Sequence, residues 1–130
     1  MSRSTCMLLM LIGLAAAAPA QHPAAVKEIS IDLSNFKITP ADIALERGIT
    51  YRLHFHNDAK GGHDFAASEF FADAVAPRDA GMLDHGGAIE LRGGESKDVI
   101  VTPRTAGVFK SHCAHFTHSA MGMTGTITVS

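Results

Sequence analysis

From Ile29 onward, apolar and polar positions alternate in short runs. Ile29, Ile31 and Leu33 alternate with Ser30, Asp32 and Ser34, as a strand with one buried face requires. Pro40 breaks the pattern, residues 43–46 resume it, and Arg47-Gly48 marks a turn. Ile49, Tyr51, Leu53 and Phe55 then alternate with Thr50, Arg52, His54 and His56. Residues 57–62 read as a turn-rich loop ending in Gly61-Gly62, and His63-Asp64-Phe65 follows it. Residues 88–91, 97–102, 108–112 and 124–129 read as further strands, with Gly93-Gly94 and residues 103–107 as turns. The one helical signal spans 68–75, with Ser68 as N-cap and Phe70, Phe71 and Ala74 as a short apolar face. Residues 76–87 read as loop. Several short strands with one short helix in a connecting segment predict an all-β sandwich rather than an α/β sheet.

The first twenty residues carry a different pattern. Arg3 is followed by an apolar run from Met7 to Ala18, and Ala18-Pro19-Ala20 is a small-x-small cleavage site. This is the pattern of a secretory signal cut after Ala20. The run is shorter than the roughly 20 residues of a spanning helix, so no membrane span is expected. Cys6 lies inside the run, which argues against a lipid anchor there. Residues 21–130 are then expected to form one exported, periplasmic or extracellular domain. Loss of Arg3 moves the net charge from −2 to −3. No basic run points to nucleic acid or an anionic membrane surface.

Export makes the cysteine count informative, because after cleavage only Cys113 remains. It has no internal disulfide partner, and an exported lone thiol needs burial, a metal or a catalytic role. Around it lie His112, His115, His118, Met121 and Met123, directly before the last strand. Cys113 is expected at the end of one strand, and His63 on a loop leaving another. If those strand ends adjoin, one rim collects a thiolate, two imidazoles and a thioether. Two imidazoles and a thiolate in a plane, with a long weak thioether contact, suit type 1 copper. The thiolate favours Cu(I) and offers the electron a covalent path; imidazole accepts both oxidation states.

The run from Gly107 to Cys113, then four residues, His118, four residues, Met123 and a Gly-Thr-Ile-Thr-Val strand resembles the cupredoxins, the plastocyanin and azurin group. The stretch FKITPADIALERGITYRLHFHN, followed by GGHDF, is similar to the same family. The likeness covers most of residues 21–130 and is weakest over 66–94. It implies a Greek-key β-sandwich with one copper ion at its rim, ligated by His63, Cys113, His118 and Met123. Many cupredoxins carry Asn after the first histidine ligand, and Ser, Thr or Asp after the cysteine, side chains that tie the two loops together. This chain has Asp64 and Ala114, so the groups that support the ligands must be built differently. Met121 competes with Met123 for the axial place; the spacing and the turn allowed by Gly122 favour Met123.

Other readings remain for the same residues. His63, Cys113, His115 and His118 would make a tetrahedral set acceptable to zinc, but that leaves Met123 without a role. A cysteine nucleophile with a histidine base would make this an enzyme, yet no helix start follows Cys113 to lower its pKa. His115 is expected to face solvent, His54 and His56 to share the outer face of one strand as polar filler, and Met82 to pack. His22, His85 and His112 carry no readable signal. The expected function is single-electron transfer between redox partner proteins by a monomeric, non-enzymatic copper protein. The alternative is copper binding for tolerance, buffering or delivery.

Overall fold

The protein is described by a computed structural model covering Ala18, residues 24–115, His118 and residues 120–130. Apart from Ala18, the expected signal segment lies outside the described residues, as does His22. Among the described residues, nine strands form two sheets. One is ordered β2-β1-β4-β7, from β1 (Lys27–Ser34), β2 (Lys37–Thr39), β4 (Tyr51–Asn57) and β7 (Ser96–Val101). The other is ordered β3-β9-β8-β5-β6, from β3 (Asp42–Leu45), β5 (His63–Ala66), β6 (Ala88–Leu91), β8 (Gly107–His112) and β9 (Thr124–Val129). Pairing is antiparallel except for β1 with β4 and β3 with β9.

The alternating runs bury the faces that they predict. Ile31, Leu33, Leu53, Phe55, Val99 and Val101 line the inner face of the first sheet, and Phe65, Ile89, Leu91, Ile127 and Val129 that of the second. Together they form one hydrophobic core, held by removal of apolar surface from water. Helix α1 (Ser68–Ala74) adds Phe70, Phe71 and Ala74 to it. Ser68 is the first helical residue rather than the N-cap. Ala67 holds that position with no side-chain hydrogen bond, so burial of the apolar face, not capping, sustains this short helix.

Three elements escape the alternation rule. β2 has three residues, too few to show a period. β5 has His63, Asp64 and Phe65 all buried, so both of its faces are covered and no polar face exists to alternate. Residues 77–82 form a 3₁₀ turn, on which Met82 is 49% exposed rather than packed. Among the described residues, no helix is long and apolar enough to cross a membrane.

Candidate metal centre

Strand order brings the distant residues together. β5 and β8 are neighbours, meeting antiparallel at Ala66 and His112. Continued past that pair, the same register carries the start of β5 toward the residues that follow β8. His63 therefore stands in a strand, not on a loop, with Cys113 beside it. Asn57, at the end of β4 and fully buried, organises the intervening loop. Its amide nitrogen donates to the carbonyls of Gly61, Leu91 and Arg92 at 2.8, 3.1 and 3.1 Å, and its oxygen accepts from Ala59 N–H at 3.0 Å. Its place at the head of a Gly-rich turn was the available signal for this role.

His63 Nδ1 and His118 Nδ1 are 3.2 Å apart, and Cys113 Sγ lies 3.3 Å from His118 Nδ1 and 3.9 Å from His63 Nδ1. A first-row ion bound by nitrogen at about 2.0 Å and sulfur at about 2.3 Å needs trigonal donor separations near 3.5 Å. The observed distances bracket that value, so the donor set fits. Cys113 is fully buried, His63 nearly so, and His118 is partly open. Burial first, then the His118 and His115 rings, holds the His63 imidazole below its ordinary pKa, against the pull of Asp64 and Glu90. A neutral ring keeps a lone pair for a metal. Among the described residues, His63 Nε2 is buried without a hydrogen-bond partner. Burial pushes the Cys113 thiol up, with backbone hydrogen bonds from Asp64 and His115 offsetting part of the effect. A thiol raised in this way favours its proton until a thiophilic cation displaces it.

The turn back from His118 is compact. His118 C=O accepts the N–H groups of Met121 and Met123, each at 3.1 Å, and Cys113 N–H donates to Met123 C=O at 3.0 Å. Gly122 sits at φ +97°, a conformation that side chains disfavour. This turn leaves Met123 fully buried and Met121 58% exposed.

The tie between ligand segments is present, built from a carboxylate. Asp64 accepts the backbone N–H of Ala114, so neither residue that differs from the common family pattern removes the link. His115 is only partly solvent-facing and is not grouped with the other three donors. It is half-buried, and its Nε2 lies 2.8 Å from Glu90 Oε1. The four-residue zinc set is therefore not assembled; His115 clusters instead with Asp64 and Glu90. Phe36, which sequence reasoning missed, meets the His118 ring in a T-shaped pair with centroids 5.5 Å apart at 88°. Only its position in the turn between β1 and β2 brings it there. His54 and His56 lie on the outer face of β4, bonded to Asp98 and Ser96 of β7, away from this centre.

The family model for the cupredoxin-like domain matches residues 6–129. Similar solved structures include a dithionite-reduced auracyanin from the photosynthetic bacterium Roseiflexus castenholzii, 22% identical, with a TM-score of 0.61 over 82% of this chain and 98% of that one. Auracyanin B is 22% identical with a TM-score of 0.60, over 88% of this chain and 92% of its own. Auracyanin A, described as a "blue" copper protein from Chloroflexus aurantiacus, is 16% identical with a TM-score of 0.55, over 79% of this chain and 99% of its own. No curated protein is similar enough in sequence to count as a match.

Proposed function

Because this chain belongs to the cupredoxin-like domain family, we propose that it is an exported carrier of single electrons. In this reading one type 1 copper ion is held by His63, Cys113, His118 and Met123. The observation that carries it is the convergence of two imidazole Nδ1 atoms and one buried thiol within 3.9 Å of one another. When bound, copper supplies a one-electron couple between Cu(I) and Cu(II).

The protein's own groups do the rest. The Cys113 sulfur gives the couple a soft, covalent donor, and the two imidazoles serve both oxidation states. Met123, fully buried in the turn back from His118, would supply the fourth, thioether donor, and Met121, which is exposed, would stay outside. The Asp64 to Ala114 tie holds the segment of His63 against the segment of Cys113, limiting rearrangement between oxidation states. His63 and Cys113 sit beneath the surface, and His118 is the partly open edge. Four protein donors leave no position for substrate, so the reading is of a carrier rather than an enzyme. Its partners are a redox protein that donates the electron and another that accepts it, and it works as a monomer. Fold similarity to auracyanin A, itself described as a blue copper protein, supports the choice of metal. The pattern of residues 1–20 supports export.

The test is the visible spectrum of protein loaded with Cu(II) and then reduced. An intense thiolate-to-copper band should appear and vanish on reduction, and Cys113→Ser should stay nearly colourless. A coloured variant, or wild type that never colours, would refute the assignment.

A further inference from the structure

The ligand loop is fastened at a second point that the copper reading does not use. Glu90 lies on β6, directly opposite Asp64 in the β5–β6 register. Its carboxylate accepts the Nε2–H of His115 at 2.8 Å, reaching from the sheet to the loop between Cys113 and His118. The His115 ring then stacks on the His118 ring, with centroids 5.4 Å apart and planes within 17°. The Phe36 ring packs against His118 at right angles as well. His115 C=O also accepts the His118 N–H at 3.1 Å.

Room for this arrangement comes from Gly62. A Cβ there would stand 3.3 Å from His115 Cε1 and 3.5 Å from Glu90 Oε1, tight enough to push against the pair. The preceding loop therefore carries no side chain where the clasp closes. Both partners are about one-third exposed, 33% for the His115 side chain and 38% for Glu90. The bond is thus partly shielded from competing water, and bonds to charged groups exceed neutral ones in strength.

We propose that Glu90 and His115 form a clasp that positions the His118 ring for metal before any metal arrives. Glu90 acts through His115 and touches no metal itself, so both are positioning residues. The clasp joins the β5–β6 strand pair that carries His63 to the loop that carries Cys113 and His118, in parallel with the Asp64 to Ala114 bond. Two ties at different points resist rotation of the loop, where one would act as a pivot. An orienting partner of this kind commonly changes metal retention without altering the ligands.

This inference rests on the copper reading for its metal-loaded half, and the experiment separates the two. Glu90→Ala, Glu90→Gln and His115→Ala are prepared metal-free and titrated with Cu(II) sulfate. Glu90→Ala and His115→Ala should still colour, but with altered relative band intensities. They should lose copper to a chelator about 10- to 100-fold faster than wild type. Glu90→Gln, whose amide oxygen still accepts the His115 N–H, should behave close to wild type. NMR of the metal-free proteins should show the His118 ring signals moved or broadened in Glu90→Ala and held in place in Glu90→Gln. His115→Ala alters the loop rather than a strand, so it tests the clasp even if Glu90→Ala folds poorly. Wild-type spectra, release rates and ring signals in both alanine variants would overturn the clasp. A glutamine variant as impaired as the alanine variant would overturn the hydrogen bond as its basis. Wild type that never colours would sink the copper reading alone, and the metal-free NMR comparison would still decide the clasp.

Discussion

Asn57 offers the sharpest test of how this fold supports its centre. Its side chain is fully buried and faces three carbonyl oxygens and one N–H. An amide nitrogen has two hydrogens, so the three carbonyls share two donors, and the network amounts to three hydrogen bonds. Asn57→Ala removes them all and leaves the Leu91 carbonyl without this donor in a buried setting. At about 1 kcal/mol per bond the expected cost is about 3 kcal/mol, a large part of the 5–15 kcal/mol typical of a domain. At roughly 4 °C per kcal/mol for a domain near 100 residues, the melting temperature should fall by about 12 °C. Urea denaturation of the metal-free protein measures this without metal linkage. Lys27→Ala, which removes an exposed ion pair with Glu46 at 3.3 Å, is the control and should cost under about 1 kcal/mol. Asn57→Asp discriminates further. It conserves volume but aims acceptors at three carbonyl oxygens, so at neutral pH it should be worse than alanine. A loss below about 1 kcal/mol for Asn57→Ala, or an aspartate variant milder than alanine, would refute the reasoning.

The other expectations concern the centre and one surface carboxylate. His63→Ala should alter the copper spectrum and admit added imidazole, while His54→Ala and His56→Ala should leave it unchanged; sensitivity only to the strand pair would reverse the assignment. Met123→Leu should keep copper and raise the reduction potential by voltammetry, because Cu(II) loses a donor it needs more than Cu(I) does, whereas Met121→Leu should shift it much less. Asp73 accepts from Thr105 Oγ1, Thr105 N–H and Arg104 N–H at 2.7, 3.0 and 2.9 Å. Burial alone would raise its pKa, but these bonds hold it below the usual carboxylate range. Its contribution is therefore complete above the unfolded Asp value of about 3.9 and lost as pH falls through the lower folded value. Wild type should exceed Asp73→Asn in stability at pH 6 and lose that margin in acid; a constant margin would exclude the linkage.

The sequence by itself determined most of the sandwich, because each half-buried strand must show its period. Ile29 to Leu33 and Tyr51 to Phe55 could be read as strands, and residues 124–129 coincide with β9. The loop chemistry was legible too, since Cys113, His118 and Met123 lie within eleven residues of chain, and local spacing limits what such a loop can bring together. What only the tertiary structure decided is whatever depends on strands far apart in sequence. Strand β5 was invisible because a segment covered on both faces has no alternation. That β5 lies beside β8, so that His63 meets Cys113, follows from sheet order, which no local pattern encodes. The same holds for Asp64 reaching Ala114, for Glu90 bonding His115, and for Phe36 against His118. Each joins residues that share no element, brought together by strand order within the second sheet or, for Phe36, by how the two sheets close on one core.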